Sequence, residues 1–384
     1  MVLKTLAPGH RFADDESVMH RALQIALQGR GRAEPNPLVG AVIVDHERRF
    51  IAEGWHVCFG SDHAEIAAIK AAASASTVGM RLFITLEPCS HHGKTPPCAD
   101  AVIAAGFQEV VIGCRDPAPH VSGQGIARLQ DAGISVVTGF SESAAQELIA
   151  PFTMLQENQR PWVHAKWAMT LDGRIAASSG HSKWITCERS RAEVHQLRGL
   201  VDVIITGAGT VRSDDPQLTA RPAGPRTPTR VVLDADGASI HAESELVKTV
   251  ADAPLIICLS DDQPVSVAER LQNLGAEVLR LPPDSAGRLC VRSLLKELGR
   301  REMTHVLVEA GGGVMGAFFD AELIDEVHVF IAPKLVGGSE PLSPVAGTGR
   351  DQIPELPDLS SVQVERFVDD VLIRGRVVRS QSST

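Results

Sequence analysis

A chain of 384 residues, 44% hydrophobic and 22% charged, has the composition of an ordinary globular protein and the length of two or three domains. Its formal net charge of −10, with Lys and Arg gathered no further than the doublets Arg48-Arg49 and Arg300-Arg301, excludes a broad electrostatic grip on nucleic acid, and no apolar run approaches the ~20 residues that span a bilayer. Seven cysteines argue against a disulfide framework, and residues 1–11 lack the pattern of a secretory signal, so a cytoplasmic location is expected.

In chain order, residues 18–27 carry apolar side chains at helical spacing before Gly29 and Gly31 and read as a helix. Glu34-Pro35-Asn36-Pro37 forces an extended turn into a buried strand, 38–44, which a hairpin through 45–49 returns as 50–54. A helix is expected from Asp62, then a strand at 82–86, a helix at 98–105, a strand at 109–112, a helix at 125–131 and a strand at 134–137. Helices alternating with strands describe a layered α/β domain.

Two stretches of that domain belong together chemically. Asp62-His63-Ala64-Glu65 offers an imidazole with a carboxylate two residues on, and the stretch from Pro88-Cys89 to Pro97-Cys98 offers two thiols. His-x-Glu followed by paired cysteines is the zinc deaminase signature, in which the Glu stays outside the metal shell. His63, Cys89 and Cys98 are therefore expected to hold Zn2+ with its fourth position open to water, acidified toward a pKa of about 7. Glu65 would carry the proton of that water to the ring nitrogen and the leaving amine. Asp62 is expected to cap the helix, and Cys98 to open the next one, where the dipole favours a thiolate. Competing readings are a capping box from Asp62 to Glu65, cysteines as core filler, and a structural zinc with His91 or His92 as fourth ligand.

The polar stretch 155–161 interrupts the pattern, and the boundary is set there, giving a domain with the zinc deaminase signature over 1–157 and a second domain over 158–384. Strands are expected at 162–168, 201–206, 230–233, 255–259, 278–281, 305–309, 326–331 and 371–377, with helices at 188–197, 265–274, 291–298 and 315–319, again α/β. Gly311-Gly312-Gly313-Val314-Met315-Gly316 fits Gly-x-Gly-x-x-Gly between a strand and a helix and suggests a dinucleotide. Ala332-Pro333-Lys334 stands where a Rossmann fingerprint needs an acid, so a standard Rossmann domain is not expected. Asp214-Asp215-Pro216 reads as a turn with a helix cap. Lys166, Arg198 and Arg221 together supply cations for a phosphorylated substrate.

Longer motifs run through both halves. The first holds Pro35-Asn36-Pro37-Leu38-Val39-Gly40-Ala41-Val42, Gly54-Trp55-His56, His63-Ala64-Glu65 and the wide loop from Cys89 to Thr95-Pro96-Pro97-Cys98. The second holds Thr170-Leu171-Asp172-Gly173-Arg174, Ser182-Lys183-Trp184-Ile185-Thr186, Gly209-Thr210-Val211, Asp214-Asp215-Pro216-Gln217-Leu218 and Val308-Glu309-Ala310-Gly311-Gly312. In this order they resemble the bifunctional riboflavin-biosynthesis family that joins a diaminohydroxyphosphoribosylaminopyrimidine deaminase to a 5-amino-6-(5-phosphoribosylamino)uracil reductase.

The resemblance implies a cytidine-deaminase-like three-layer domain followed by a dihydrofolate-reductase-like domain that binds NADPH. It implies zinc on His63, Cys89 and Cys98, protons carried by Glu65, and contacts from Asn36, His56 and Lys94 to the first substrate. In the reductase it implies NADPH lined by Ala168, Trp184, Thr210, Asp214 and the turn of Gly311, Gly312, Gly313, Val314, Met315, Gly316 and Ala317. Ser182, Arg198, Leu218, Arg221 and Glu309 would hold the ribosylamino phosphate, with Lys166 polarising the substrate. Deamination would precede reduction of the ribosyl group to ribityl. The partners implied are small phosphorylated pyrimidines, not nucleic acid or a membrane, and a homo-oligomer is expected. One departure stands out: the family usually reads Asp-Pro-Asn-Pro where this chain has Asp116-Pro117-Ala118-Pro119; if that Asn contacts substrate, Ala118 loses a hydrogen bond of about 0.5–1.5 kcal/mol. Two rivals remain: a nucleic-acid-editing deaminase, which needs a basic, aromatic-lined groove that 4% aromatics disfavour, and a chain in which one half is only a scaffold or effector-binding module.

Overall fold

Ala41 and Ile43 point to one face of their strand and Val42 and Val44 to the other; all four are buried, so the strand must be covered on both sides. It is β1 (Gly40–Val44), in the first of two compact units, Met1–Gln159 and Arg160–Thr384, of the computed structural model. The structure describes residues 5–73, 75–90, 97–118, 121–338, 342–353 and 358–378. Around β1 lie β2 (Phe50–Trp55), β3 (Arg81–Leu86), β4 (Glu109–Cys114) and β5 (Ser135–Thr138). The sheet order is β2-β1-β3-β4-β5, antiparallel on either side of β1 and parallel from β3 onward. α1 (Asp15–Ala26) packs Val18, Met19 and Ile25 against Val42 and Val44, while α2 (Ala64–Ala72), α3 (Cys98–Ala104) and α4 (Gln124–Asp131) cover Ala41 and Ile43. α5 (Glu142–Asn158) sets Ala145 and Ile149 on Leu86 and Cys114. The result is the expected three-layer α/β arrangement.

Two local expectations change. α2 is capped by His63 rather than Asp62, whose carboxylate instead takes Lys70 Nζ at 2.6 Å, so no capping box joins Asp62 to Glu65. α5 was not expected: it buries only Ala145 and Ile149, too sparse a stripe to read as a period, and it contains Pro151. The polar stretch at 155–158 is its last turn, and the chain leaves it through Gln159 at φ 52°.

The second unit runs β6 (Trp162–Thr170), α6 (Glu188–Arg198), β7 (Val203–Gly207), α7 (Ala208–Asp214), β8 (Thr229–Leu233), α8 (Glu245–Lys248), β9 (Leu255–Ser260), α9 (Val265–Asn273) and β10 (Glu277–Leu281). It continues through α10 (Val291–Arg300), β11 (His305–Val308), α11 (Gly312–Asp320), β12 (Glu326–Ala332), β13 (Leu359–Phe367) and β14 (Asp370–Val377). The sheet order is β10-β9-β8-β7-β11-β6-β12-β14-β13, parallel as far as β12 and antiparallel beyond it. Val163, Ala165, Val306 and Val327 pack against Leu294, Leu298 and Phe318 of α10 and α11, and Ile204, Val232 and Ile257 against Leu246 and Leu271 on the other face. β13 is an edge strand with almost every side chain exposed, so it carries no apolar alternation to betray it.

A buried ion pair ties the starts of β6 and β12 together. Arg160 donates to both oxygens of Asp325, at 2.7 and 2.8 Å, and the Val163 amide donates to the same carboxylate at 2.8 Å. No helix among the described residues is long and apolar enough to cross a membrane.

Candidate active sites

Gly54 of β2 lies so close to α2 that a Cβ there would meet Ala68 N at 2.3 Å and Ala64 O at 2.7 Å. That close approach seats the first turn of α2 on the sheet and leaves Glu65 only 3% exposed. His63, at the cap, brings Nδ1 to 3.0 Å from Cys98 Sγ and 3.7 Å from Cys89 Sγ, and the Cys98 amide donates to Cys89 Sγ at 3.3 Å. Cys89 lies just beyond β3 and Cys98 is the first residue of α3, so sheet and helix termini converge on one point.

A hydrogen bond between the two thiol side chains pulls Cys89 down to about 4 despite burial, and the same bond together with burial pushes Cys98 up. The trio thus favours one thiolate as it stands, and an imidazole with two sulfurs is a donor set that fits zinc. Burial pushes the Glu65 carboxyl up to about 7, a value suited to taking and returning a proton near neutrality.

A cavity of about 370 Å³ adjoins the trio, lined by Asn36, His56, His63, Glu65, Cys89 and Ala118, with Phe152 and Gln156 from α5. His56 Nδ1–H donates to Asp62 O at 3.0 Å, which leaves Nε2 to accept from Asn36 Nδ2 at 3.0 Å. Two of the three side chains expected to meet the first substrate, Asn36 and His56, are therefore oriented by one another. Lys94, like His91 and His92, lies outside the described residues.

Glu87 belongs to none of the motifs, yet it organises the far wall. Its buried carboxylate accepts from the amides of Gly123 and Gly125 at 2.9 Å and of Asp116 and Ile126 at 3.3 Å. It so fixes the segment that carries Ala118. Its one sequence signal is an acid set directly before Pro88-Cys89 at a strand end. Phe152 and Gln156 had no signal, because the helix that bears them had none.

In the second unit a cavity of about 1160 Å³ opens at the carboxyl ends of β6, β7 and β11, where the chain steps outward from β7 to β10 and returns to insert β11. Crevices of this kind are where α/β sheets take ligands. Its walls include Lys166, Ala168, Ser182, Arg198, Thr210, Asp214, Leu218, Glu309, Gly311, Gly312, Gly313, Val314 and Ala317. Arg198 forks onto Glu309, Nε to Oε1 at 2.6 Å and Nη2 to Oε2 at 2.9 Å, and Lys166 Nζ stands 3.8 Å from the same carboxylate. Burial alone would raise Glu309, but Arg198 and Lys166 outweigh it and hold the carboxyl below its ordinary value; burial lowers Lys166. Two cations face one anion, so the cluster retains an attraction for phosphate, with Arg198 and Glu309 acting as a unit.

Four expected contacts are not brought to this cavity. Trp184 is 63% exposed beneath Arg191, whose guanidinium carbon is 4.4 Å from the ring centroid. Arg221 is held outside by Gln217 Oε1 at 2.7 Å and Thr219 Oγ1 at 2.8 Å. Met315 is fully buried in the core against which α11 packs, and Gly316 is closed off by Ala346. The reason for the last two is helical periodicity: the glycines expected as a turn are the cap, Gly311, and opening turn of α11, so alternate faces look away from the cavity.

Space around those glycines is unequal. A Cβ on Gly316 would meet Ala346 O at 2.1 Å and one on Gly312 would meet Ser343 O at 2.3 Å, whereas Gly311 and Gly313 have nothing within 4 Å. Gly316→Ala is expected to destabilise the unit by about 1–3 kcal/mol through overpacking. Gly313→Ala should leave the unfolding temperature unchanged or slightly raised, yet increase the KM for a dinucleotide whose pyrophosphate approaches the loop amides. Thermal unfolding and dinucleotide titration of the two variants check this; an unaltered KM in Gly313→Ala would remove the close approach.

Residues 13–114 match the family model of the cytidine and deoxycytidylate deaminase zinc-binding region, and residues 161–373 match that of the RibD C-terminal domain. The riboflavin biosynthesis protein RibD of Bacillus amyloliquefaciens is 38% identical over 93% of this chain and 95% of its own length, and that of Escherichia coli K12 is 35% identical over 94% and 98%. Among solved structures, a diaminohydroxyphosphoribosylaminopyrimidine deaminase/5-amino-6-(5-phosphoribosylamino)uracil reductase from Thermotoga maritima superposes with TM-score 0.80 at 37% identity, covering 94% of this chain and 98% of that one. Acinetobacter baumannii RibD gives TM-score 0.80 at 32% identity over 95% and 99%. The same relatives match both halves.

Proposed function

The chain belongs to the RibD family of riboflavin-biosynthesis proteins, a zinc-dependent deaminase joined to an NADPH-dependent reductase, and on that premise we propose which residues carry each activity. The observation that carries the reading is the trio of His63, Cys89 and Cys98 beside a buried Glu65. Bound zinc supplies Lewis acidity toward a water molecule. His63 Nδ1 and the two sulfurs would hold the ion; the Glu65 carboxylate would take one proton of that water to the pyrimidine ring nitrogen and then the remaining hydroxyl proton to the departing amine, which leaves as ammonia. Asn36 and His56 orient the pyrimidine, and Lys94 is a further contact.

In the reductase, bound NADPH supplies the hydride that turns the opened ribosylamino group into ribityl. The amides from Gly311 to Val314 would hold its pyrophosphate, while Ala168, Thr210, Asp214 and Ala317, which line the same cavity, would flank the rest of it. Ser182, Leu218 and the Arg198–Glu309 unit hold the phosphorylated substrate, and Lys166 polarises it. Trp184 and Arg221 do not line the cavity, and Met315 and Gly316 support α11 by packing. Small phosphorylated pyrimidines as substrates, a cytoplasmic location and a homo-oligomer belong to the same proposal.

The test follows NADPH absorbance with the full-length protein, first with the diaminopyrimidinone phosphate and then with its deaminated product, before and after zinc is removed by chelation. The expected result is that the diamino compound drives oxidation only with zinc, while the deaminated compound does so regardless. Were the diamino compound inert even with zinc, the chain would be a single-activity reductase, an outcome that the methyl of Ala118 in the deaminase cavity makes worth checking. Were neither consumed, the reductase assignment would fall.

A further inference from the structure

Three strands of the second unit bring together side chains that neither reaction uses. On the sheet face opposite Val163 and Ala165, β6 carries His164, β11 carries His305, and β12 carries Glu326 and His328, with Glu326 the register partner of His164. All three imidazoles are buried. His164 Nδ1 lies 3.3 Å from His328 Nε2 and 3.5 Å from Glu326 Oε2, and His328 Nε2 lies 3.0 Å from Glu326 Oε1. Ligands bound to tetrahedral zinc at about 2.0–2.1 Å stand roughly 3.3–3.4 Å from one another. The two imidazole nitrogens therefore already stand at the spacing of two such corners, and the Glu326 carboxylate lies within 3.0–3.5 Å of each, through one oxygen apiece.

We propose that His164, Glu326 and His328 bind a divalent transition-metal ion, a second metal site on this chain built without sulfur. Two imidazoles and a carboxylate are a known zinc set, equally suited to cobalt or nickel. The surroundings support it. His164 Nε2 lies 3.0 Å from His305 Nδ1, so the tautomer in which Nε2–H donates to His305 leaves His164 Nδ1 deprotonated, as an ion requires. Outer-shell acceptors of this kind accompany metal-bound imidazoles. Trp162 Nε1–H donates to Glu326 Oε2 at 3.3 Å and steadies the carboxylate. The Glu326 side chain is 19% exposed, so the cluster is open to solvent on that side. Bound there, the ion joins β6 to β12, the strand pair whose further course carries Lys166 into the reductase cavity. The competing occupant is a proton: with Nδ1 protonated, His164 donates to Glu326 and no ion enters.

Cobalt titration of the full-length protein, stripped of metal with a chelator, separates the two. Two equivalents of Co2+ are expected, one with the sulfur-to-cobalt charge-transfer absorption of Cys89 and Cys98, the other with ligand-field absorption alone and with quenching of Trp162 fluorescence. Cys89→Ser/Cys98→Ser should lose the first and keep the second. Glu326→Gln, which preserves shape and hydrogen bonding, should weaken the second at least tenfold and keep the first; His328→Gln serves as an independent variant. Zn2+ should also raise the unfolding temperature of the double cysteine variant, and fail to do so once Glu326→Gln is added. A single equivalent bearing the sulfur signature overturns the proposal, as does a second equivalent that survives both Glu326→Gln and His328→Gln.

Discussion

Glu65→Gln is expected to lower deamination by about 10²–10⁴-fold while leaving reduction of the deaminated intermediate at the wild-type rate. The substitution is isosteric, and Glu65 sits in the first turn of α2 with almost no exposure, so the carboxamide fills the same space. His63, Cys89 and Cys98 converge through their own elements, and zinc content should not change. What is lost is a group able to accept and return a proton, whose carboxyl burial has raised to about 7. Ammonia release from the diaminopyrimidinone phosphate measures the first activity and NADPH absorbance with the deaminated compound the second. Were Glu65 only a residue that starts a helix, Gln would serve as well, and near-normal ammonia release would end its catalytic role.

Arg160→Ala is expected to destabilise the second unit by about 3–5 kcal/mol, lowering its unfolding temperature by roughly 6–20 °C. The pair is bidentate and buried, with side chains 9% and 2% exposed, so truncating Arg160 strands a carboxylate that retains the Val163 amide but loses its cation. Asp325→Asn should fall between this variant and the parent, since the amide keeps one acceptor. Replacing both by apolar residues of similar volume should recover much of the loss, because a buried charge without its partner costs more than the pair contributes. Calorimetry on the full chain measures the shift, and deamination should persist at temperatures where reduction has ceased. A change under about 1 kcal/mol in both single variants would mean that the start of β6 is anchored elsewhere.

Which chemistry this chain performs was written largely in side-chain identity and short spacing. His63 and Glu65, two residues apart at a helix start, and two cysteines at strand-to-helix junctions define a donor set whatever the surrounding fold. Runs such as 40–44 and 255–259 are apolar throughout because both faces of their strands are covered, and that too is local information. The glycines from Gly311 announced a backbone able to approach a ligand. Periodicity failed where burial is thin: α5 buries two residues and β13 is almost wholly exposed, so neither leaves a pattern.

Tertiary structure decided what long-range pairing controls. Whether Arg198 stands free for phosphate or forks onto Glu309, whether Glu87 is a surface acid or the clasp of the deaminase wall, and whether Met315 meets a cofactor or the core depend on sheet register and helix phase. The same holds for His164, His305, Glu326 and His328, which form a cluster only because β11 inserts beside β6 and β12 pairs with β6 in one register. A one-residue slip of β12 would turn Glu326 and His328 to the opposite face, because strand side chains alternate. Donor atoms and the elements that carry them follow from residue identity and local spacing; which of those atoms meet follows from the packing of distant strands.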